Sequence, residues 1–204
     1  LKNNALLTIS SSISSGTGIN SVTTVSMADT ATISAGTGLF LGSASGSAAV
    51  VSLSGGTLRS GAGFGLATGT NAQGVVTVSG GTLSVAGTAT IAGASGAVAG
   101  IVGNSGHVQA DSLILSAVSG ANATLYISGG SVSATTVTVA SVSGATATLS
   151  IGADGLLSAT TVALNDGAQA YLTSGAEVTG TVTMNSGSSA TISVVGSASA
   201  GAES

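Results

Sequence analysis

Apolar and polar residues alternate along most of the chain in short runs that end at glycine-containing turns. Thr124-Leu125-Tyr126-Ile127-Ser128 alternates in this way, and so does Thr136-Val137-Thr138-Val139. Turns such as Ser128-Gly129-Gly130 and Ser143-Gly144-Ala145 follow these runs. Alternation with a period of two is typical of half-buried β-strands, and glycine supplies the positive φ angles of sharp corners. Because no stretch combines helical spacing with capping signals, the pattern predicts an all-β chain.

The apolar positions also recur at a nearly constant interval, which shortens only at the last unit. A first column comprises Leu58, Leu83, Val108, Val132, Leu157 and Val178. A second column, which shortens at the same place, comprises Leu41, Leu66, Ile91, Leu115, Val139, Leu164 and Met184. A third set precedes many of the turns, as pairs such as Val51 and Leu53, Val76 and Val78, Leu125 and Ile127, and Leu149 and Ile151.

Short strands that repeat with the same phase predict a parallel β-solenoid, or β-helix, with coils of about 24 to 25 residues. Like residues would stack at about 4.8 Å per rung, so the seven members of the second column predict a rod roughly 34 Å long. An antiparallel sandwich also has short strands and glycine turns, but it does not require three columns to stay in register.

The repeat divides the chain into three regions. Residues 1–30 fit the register poorly and are predicted to form an irregular N-terminal coil or cap, although Thr8-Ile9-Ser10 and Thr32-Ile33-Ser34 echo each other one repeat apart. Residues 31–195 are predicted to form the solenoid, and residues 196–204 a flexible tail or linker. Since the chain opens with Leu1 and Lys2, we expect it to be a processed or excised piece of something longer.

Charge is scarce and changes the choice of function more than the choice of fold. The 204 residues include 2 Lys+Arg and 6 Asp+Glu, so 4% are charged and the formal net charge is −4. So few cations argue against nucleic acid or anionic membrane as partners. The chain contains no run of about 18 apolar residues, so the sequence predicts no transmembrane segment. The absence of Cys excludes disulfides and cysteine-liganded zinc.

The ionisable residues do not predict a catalytic or metal site. His107 and Glu177 both stand one residue before the first column, but they belong to coils three rungs apart, about 14 Å, which is too far for an acid–base pair. Asp does not recur in one column, as a calcium-binding β-roll requires. We therefore predict no enzyme activity, no catalytic residue, no cofactor and no metal ligand.

One polar pattern does repeat on the predicted outside. Counting back three and one residues from the second column gives the candidate surface-binding residues Thr88, Thr90, Thr136, Thr138, Thr161, Thr181 and Thr183. These files resemble the Thr-x-Thr arrays of β-solenoid ice-binding proteins. The array is interrupted at Ser112-Leu113-Ile114, and Gly38 and Phe40, then Gly63 and Gly65, take its places in the first two units. The simpler interpretation is that Thr is a favoured exposed strand residue.

Two segments carry a resemblance to a known family. Val76-Thr77-Val78-Ser79-Gly80-Gly81-Thr82-Leu83-Ser84-Val85 and Leu125-Tyr126-Ile127-Ser128-Gly129-Gly130-Ser131-Val132 resemble the Ser/Gly-Gly-Thr-Leu repeats of bacterial autotransporter passengers and other secreted β-helix surface proteins. The resemblance covers residues 31–195 and implies an extracellular or cell-surface right-handed β-helix that serves adhesion or acts as a scaffold. No unit carries the long insertion of passengers with enzymatic loops.

These observations favour a structural function. Lys and Pro, which guard the edges of natural sheets, are almost absent, so end coils would expose backbone and apolar columns to another copy or to a capping domain. The leading hypothesis is a non-enzymatic extracellular segment of a surface adhesin or self-assembling fibre, with other copies, or host or abiotic surfaces, as partners. The alternative is an ice- or polysaccharide-binding module that uses the Thr files, and a carbohydrate-active enzyme comes third.

Overall fold

The computed structural model describes residues 1–192, and every regular element in that range is a β-strand. The predicted tail 196–204 lies outside the described residues. The strands are β1 (Leu6–Ile9), β2 (Ile13–Ser15), β3 (Val22–Met27), β4 (Thr32–Ala35), β5 (Gly38–Leu41), β6 (Ala48–Leu53), β7 (Thr57–Ser60), β8 (Gly63–Leu66), β9 (Gln73–Val78), β10 (Thr82–Ile91), β11 (Val98–Gly103), β12 (His107–Leu115), β13 (Asn122–Val139), β14 (Thr146–Leu164), β15 (Ala168–Leu172), β16 (Glu177–Met184) and β17 (Ser189–Ile192).

The strands stack into three parallel sheets that we call the first, second and third faces. The first face is the ladder β1-β4-β7-β10-β12-β13-β14-β16. The second is β2-β5-β8-β10-β12-β13-β14-β16. The third is β3-β6-β9-β11-β13-β14-β15-β17. Several strands run through corners and serve two or three faces. All pairings are parallel, which confirms the β-solenoid and excludes the sandwich.

The predicted columns form the core. Leu58 pairs with Leu83, and the first column continues in register to Val178, while the second column runs from Leu41 to Met184. The interior members are buried, as are Val76, Leu125 and their partners behind the third face. Each buried Leu, Ile or Val contributes about 1.5 to 3 kcal/mol through removal of apolar surface from water. The alternation of strand residues therefore places one half of each strand inside and leaves the other half on the faces.

Residues 1–30 contain a coil that pairs in register with the next one. β1, β2 and β3 are parallel to β4, β5 and β6. The echo between Thr8-Ile9-Ser10 and Thr32-Ile33-Ser34 is not the observed register, because Leu7 pairs with Ile33 and Thr8 with Ser34. A slip of two residues keeps the same side chains facing inward, so alternation alone did not distinguish the two registers.

The corners account for the small changes in repeat length. Between the first and second faces, coil β10 has two corner residues, Ala86 and Gly87, whereas the same corner of β12 has one, Asp111. Between the second and third faces a buried left-handed position recurs, with φ of 53° at Ala67, 60° at Ala92 and 56° at Ala140. L-residues rarely adopt this conformation, so the stacked neighbours must hold these corners in place.

Candidate functional site

The candidate threonines lie on the outside of the second face. One file consists of Thr88, Ser112, Thr136, Thr161 and Thr181, which pair in register through five successive coils. We call it the first Thr file. Each of its members is exposed or half-buried. Although Ser112 interrupts the run of threonines, its hydroxyl continues the file, and Thr136 Oγ1 donates a hydrogen bond to Ser112 Oγ at 3.0 Å. The first Thr file is therefore an unbroken row of hydroxyl groups.

The neighbouring file is less regular. It consists of Thr90, Ile114, Thr138, Ala163 and Thr183, again paired in register. We call it the second Thr file. Its threonines alternate with apolar residues, so hydroxyl groups recur only at every second coil. The structure thus brings all seven predicted threonines onto one face. A threonine of the second file, however, accompanies a hydroxyl of the first file only in alternate coils.

The break in the pattern towards the N-terminus has a steric basis. Phe40 occupies the second-file position of its coil and is partly exposed. A Cβ atom added to Gly38 would lie 2.5 Å from the Phe40 ring, and one added to Gly65 would lie 2.9 Å from it. Glycine at these positions makes room for the ring, which spreads over positions that carry threonine elsewhere.

On the first face, the side chain of His107 contacts that of Ser131 in the next coil. His107 Nδ1 lies 2.7 Å from Ser131 Oγ, and the pair is partly buried. Glu177 stands in the same file, three steps from His107, as the spacing predicted. A serine–histidine contact can activate a hydroxyl when a third group orients the imidazole.

Within residues 1–192, no three His, Asp or Glu side chains come together in a way that could hold a metal ion.

The third face carries two tyrosines that sequence reasoning did not single out. Tyr126 pairs with Ser150, and Ser150 pairs with Tyr171, so the two tyrosines share one outward file and are separated by two coils. Each is 41% exposed. The signal was present in the sequence, since Tyr126 lies between the apolar pair Leu125 and Ile127. The shorter last units, however, hid the match with Tyr171.

The first coil exposes core positions that are buried in the middle of the rod. Leu7 of the first column is 44% exposed, and with Ile13 and Val25 it lines an open cavity of about 210 Å³. In the coil formed by β16, Val182, which continues the column of Ile13, is 49% exposed, and Met184 of the second column is 51% exposed. Both described ends therefore present apolar columns.

Comparisons with known proteins do not extend this description. None of the known protein families, curated proteins or solved structures that were compared matches the chain. Among residues 1–192, the structure contains no helix with the length and apolar character needed to cross a membrane.

Proposed function

We propose that the chain is a non-enzymatic structural segment of a bacterial extracellular adhesin or self-assembling fibre. The observation that carries this proposal is the open first coil. Among residues 1–192, its strands β1, β2 and β3 each pair with one neighbouring strand, and residues 5–28 contain no charged residue and no proline. Natural sheets usually protect such an edge, because unpaired backbone groups recruit further strands. An edge of this kind beside exposed apolar columns favours stacking of a further coil, and we propose that a second copy supplies it.

The geometry of the edge shows which backbone groups would accept that coil. Ala48 N donates to Ser21 O at 2.8 Å, so every second residue of β3 directs its peptide groups towards β6. The alternate residues, Val22, Thr24 and Ser26, direct theirs towards the open side. The Leu1 amino group donates to Ser26 O at 2.7 Å, which covers the last of these positions and leaves Val22 and Thr24 available.

The opposite end offers matching columns to a second copy. The first-column position is held by Leu7 at one end and Val178 at the other. The adjacent column of the second face begins with Ile13 and continues to Val182. Stacking the first coil of one copy on the last described coil of another would continue these two apolar columns. Little repulsion opposes this contact because the formal net charge is only −4.

The experiment compares two substitutions at Thr24. Thr24→Pro removes a backbone donor from the open edge while the bonds to β6 are retained, and Thr24→Val keeps the donor with a β-branched side chain. We expect the native chain and Thr24→Val to associate with rising concentration in sedimentation velocity and to form rods in electron micrographs. Thr24→Pro should need at least about tenfold higher concentration. A native chain that is monomeric throughout this range would contradict the fibre proposal.

The first Thr file favours a second candidate function, binding to ice. Regularly spaced hydroxyl and methyl groups on a flat face can hold ordered water, which a matching crystal surface would extend. Thr138 belongs to the second Thr file and stands beside Thr136 of the first, so Thr138→Lys would place a long charged side chain in the middle of this face; Thr82→Lys is the control on the first face. Loss of thermal hysteresis in Thr138→Lys alone would support this function. Absence of hysteresis in the native chain would exclude it.

A further inference from the structure

We infer that the third face contains a binding site for a neutral, extended β-1,4-linked polysaccharide, with Tyr126 and Tyr171 as its stacking platforms. This site lies on a different face from the Thr files and does not depend on self-association. The two residues are the only tyrosines in the chain, and the sequence has no tryptophan. Both occupy one outward file, and both remain 41% exposed although their coils are tightly packed.

The spacing of the two rings matches a particular class of glycan. Two rungs of a parallel sheet separate them by about 10 Å along the rod axis. In an extended β-1,4-linked chain each sugar is turned by half a turn relative to the preceding one, so every second sugar presents the same face. One sugar advances such a chain by nearly the length of one rung. A chain lying along the axis can therefore stack alternate sugars on Tyr126 and Tyr171, with the intervening sugar above Ser150.

The orientation of Tyr171 supports stacking. Its hydroxyl donates a hydrogen bond to Gln169 Oε1 at 3.1 Å. Gln169 and Tyr171 are neighbours on the same side of β15, so this bond holds the ring along the strand instead of letting it extend into solvent. A tyrosine held in this way presents an apolar ring surface at low entropic cost, while its hydroxyl oxygen can still accept a hydrogen bond from a ligand.

The rest of the face fits an uncharged ligand. The third-face segments of β6, β9, β11, β13, β14 and β15 contain no Lys, Arg, Asp or Glu. Hydrogen-bonding groups flank the tyrosines instead, at Asn122, Thr124 and Thr148, whose side chains are exposed or half-buried. Hydroxyl and amide groups suit sugar hydroxyls, whereas nothing on this face would neutralise a uronate or sulfate.

The test uses cellohexaose and chitohexaose as probes, with maltohexaose as the α-linked control. Because all tyrosine emission comes from the proposed site, quenching of intrinsic fluorescence reports binding there directly, and calorimetry measures the affinity. We expect Tyr126→Ala and Tyr171→Ala each to weaken binding by about tenfold. Val50→Ala, at a residue of the same face that is 42% exposed, should leave binding unchanged. Circular dichroism checks that each variant is folded.

A variant with altered tyrosine spacing distinguishes a site that requires this spacing from nonspecific binding to exposed tyrosines. The double substitution Tyr171→Ala with Ser150→Tyr keeps two tyrosines in the file but places them one rung apart. It should bind cellohexaose as weakly as Tyr171→Ala alone. The inference would be overturned if the double substitution restored binding. It would also be overturned if maltohexaose bound as well as the β-linked probes, or if neither β-linked probe bound. Repeating the titration in Thr24→Pro keeps the result independent of self-association.

Discussion

The ring of Phe40 lies over its register partner Gly65, where an added Cβ atom would stand 2.9 Å from Phe40 Cδ1. A Cβ atom added to Gly38, in the same strand as Phe40, would meet the ring at 2.5 Å. The ring thus depends on the absence of side chains around it. The second face therefore has two parts. In its N-terminal part an aromatic ring packs over glycines, whereas the remainder exposes hydroxyl groups.

We expect Gly38→Ala to destabilise the protein by about 1 kcal/mol, because the added methyl group displaces the Phe40 ring into solvent. Gly63→Ala is the matched control, since its nearest neighbour would be Thr88 O at an ordinary 3.8 Å. Urea unfolding measures both. In a Phe40→Ala background the cost of Gly38→Ala should disappear, and a cost that persisted there would show that the ring is not its cause.

The core columns predict a gradient of stability from the first coil to the middle of the rod. Leu83→Ala should cost about 2 to 5 kcal/mol, because Leu83 is fully buried between Leu58 and Val108. Leu7→Ala, in the same column but 44% exposed, should cost less than half as much. Chemical denaturation of the two variants checks the difference. Equal costs would mean that the first coil is as well packed as the centre.

Most of the fold could be predicted from the sequence, because stacking converts a linear interval into a spatial column. Leu58, Leu83 and Val108 recur at the spacing of one coil, and each coil places them at the same inward position. The register of residues 1–30 could not be predicted in the same way. There, Leu7 and Ile33 are separated by slightly more than the usual repeat, and a two-residue slip satisfies the alternation equally well.

The candidate sites were predicted only where the residue type repeats. The threonines of the second face were found because one residue type recurs in most coils. The contact between His107 and Ser131 joins two different residue types, and the two tyrosines are separated by repeats of unequal length. Neither pair therefore appears in the sequence as one residue type recurring at a constant interval. The side-chain positions that define both pairs follow from register and from the direction of each strand residue, which become certain only once every corner is known.

Backbone conformation predicts a large cost at Gly56. This residue has φ of +73°, and an added Cβ atom would lie 2.1 Å from Ala31 O in the coil below. Gly56→Ala should therefore destabilise by about 2 to 4 kcal/mol, through left-handed strain and displacement of the stacked backbone. At Gly18 the nearest atom would be Ser21 Cβ at 3.8 Å, so Gly18→Ala should change the free energy of unfolding by less than about 0.5 kcal/mol. Thermal and urea unfolding of the two variants test this contrast, and similar values would contradict it.

The hydrogen bond between His107 and Ser131 predicts a measurable coupling between neighbouring coils. Their 2.7 Å contact is partly buried, so its loss should not be fully replaced by water. In a double-mutant cycle of His107→Ala and Ser131→Ala, we expect a coupling of about 0.5 to 1.5 kcal/mol in the free energy of unfolding. Gln109 and Ser133 provide the control cycle, because they pair in register on the same two strands and no side-chain hydrogen bond joins them within the described structure. A coupling no larger than that of the control would mean that the two side chains are adjacent through register alone, without a bond that stabilises the stack.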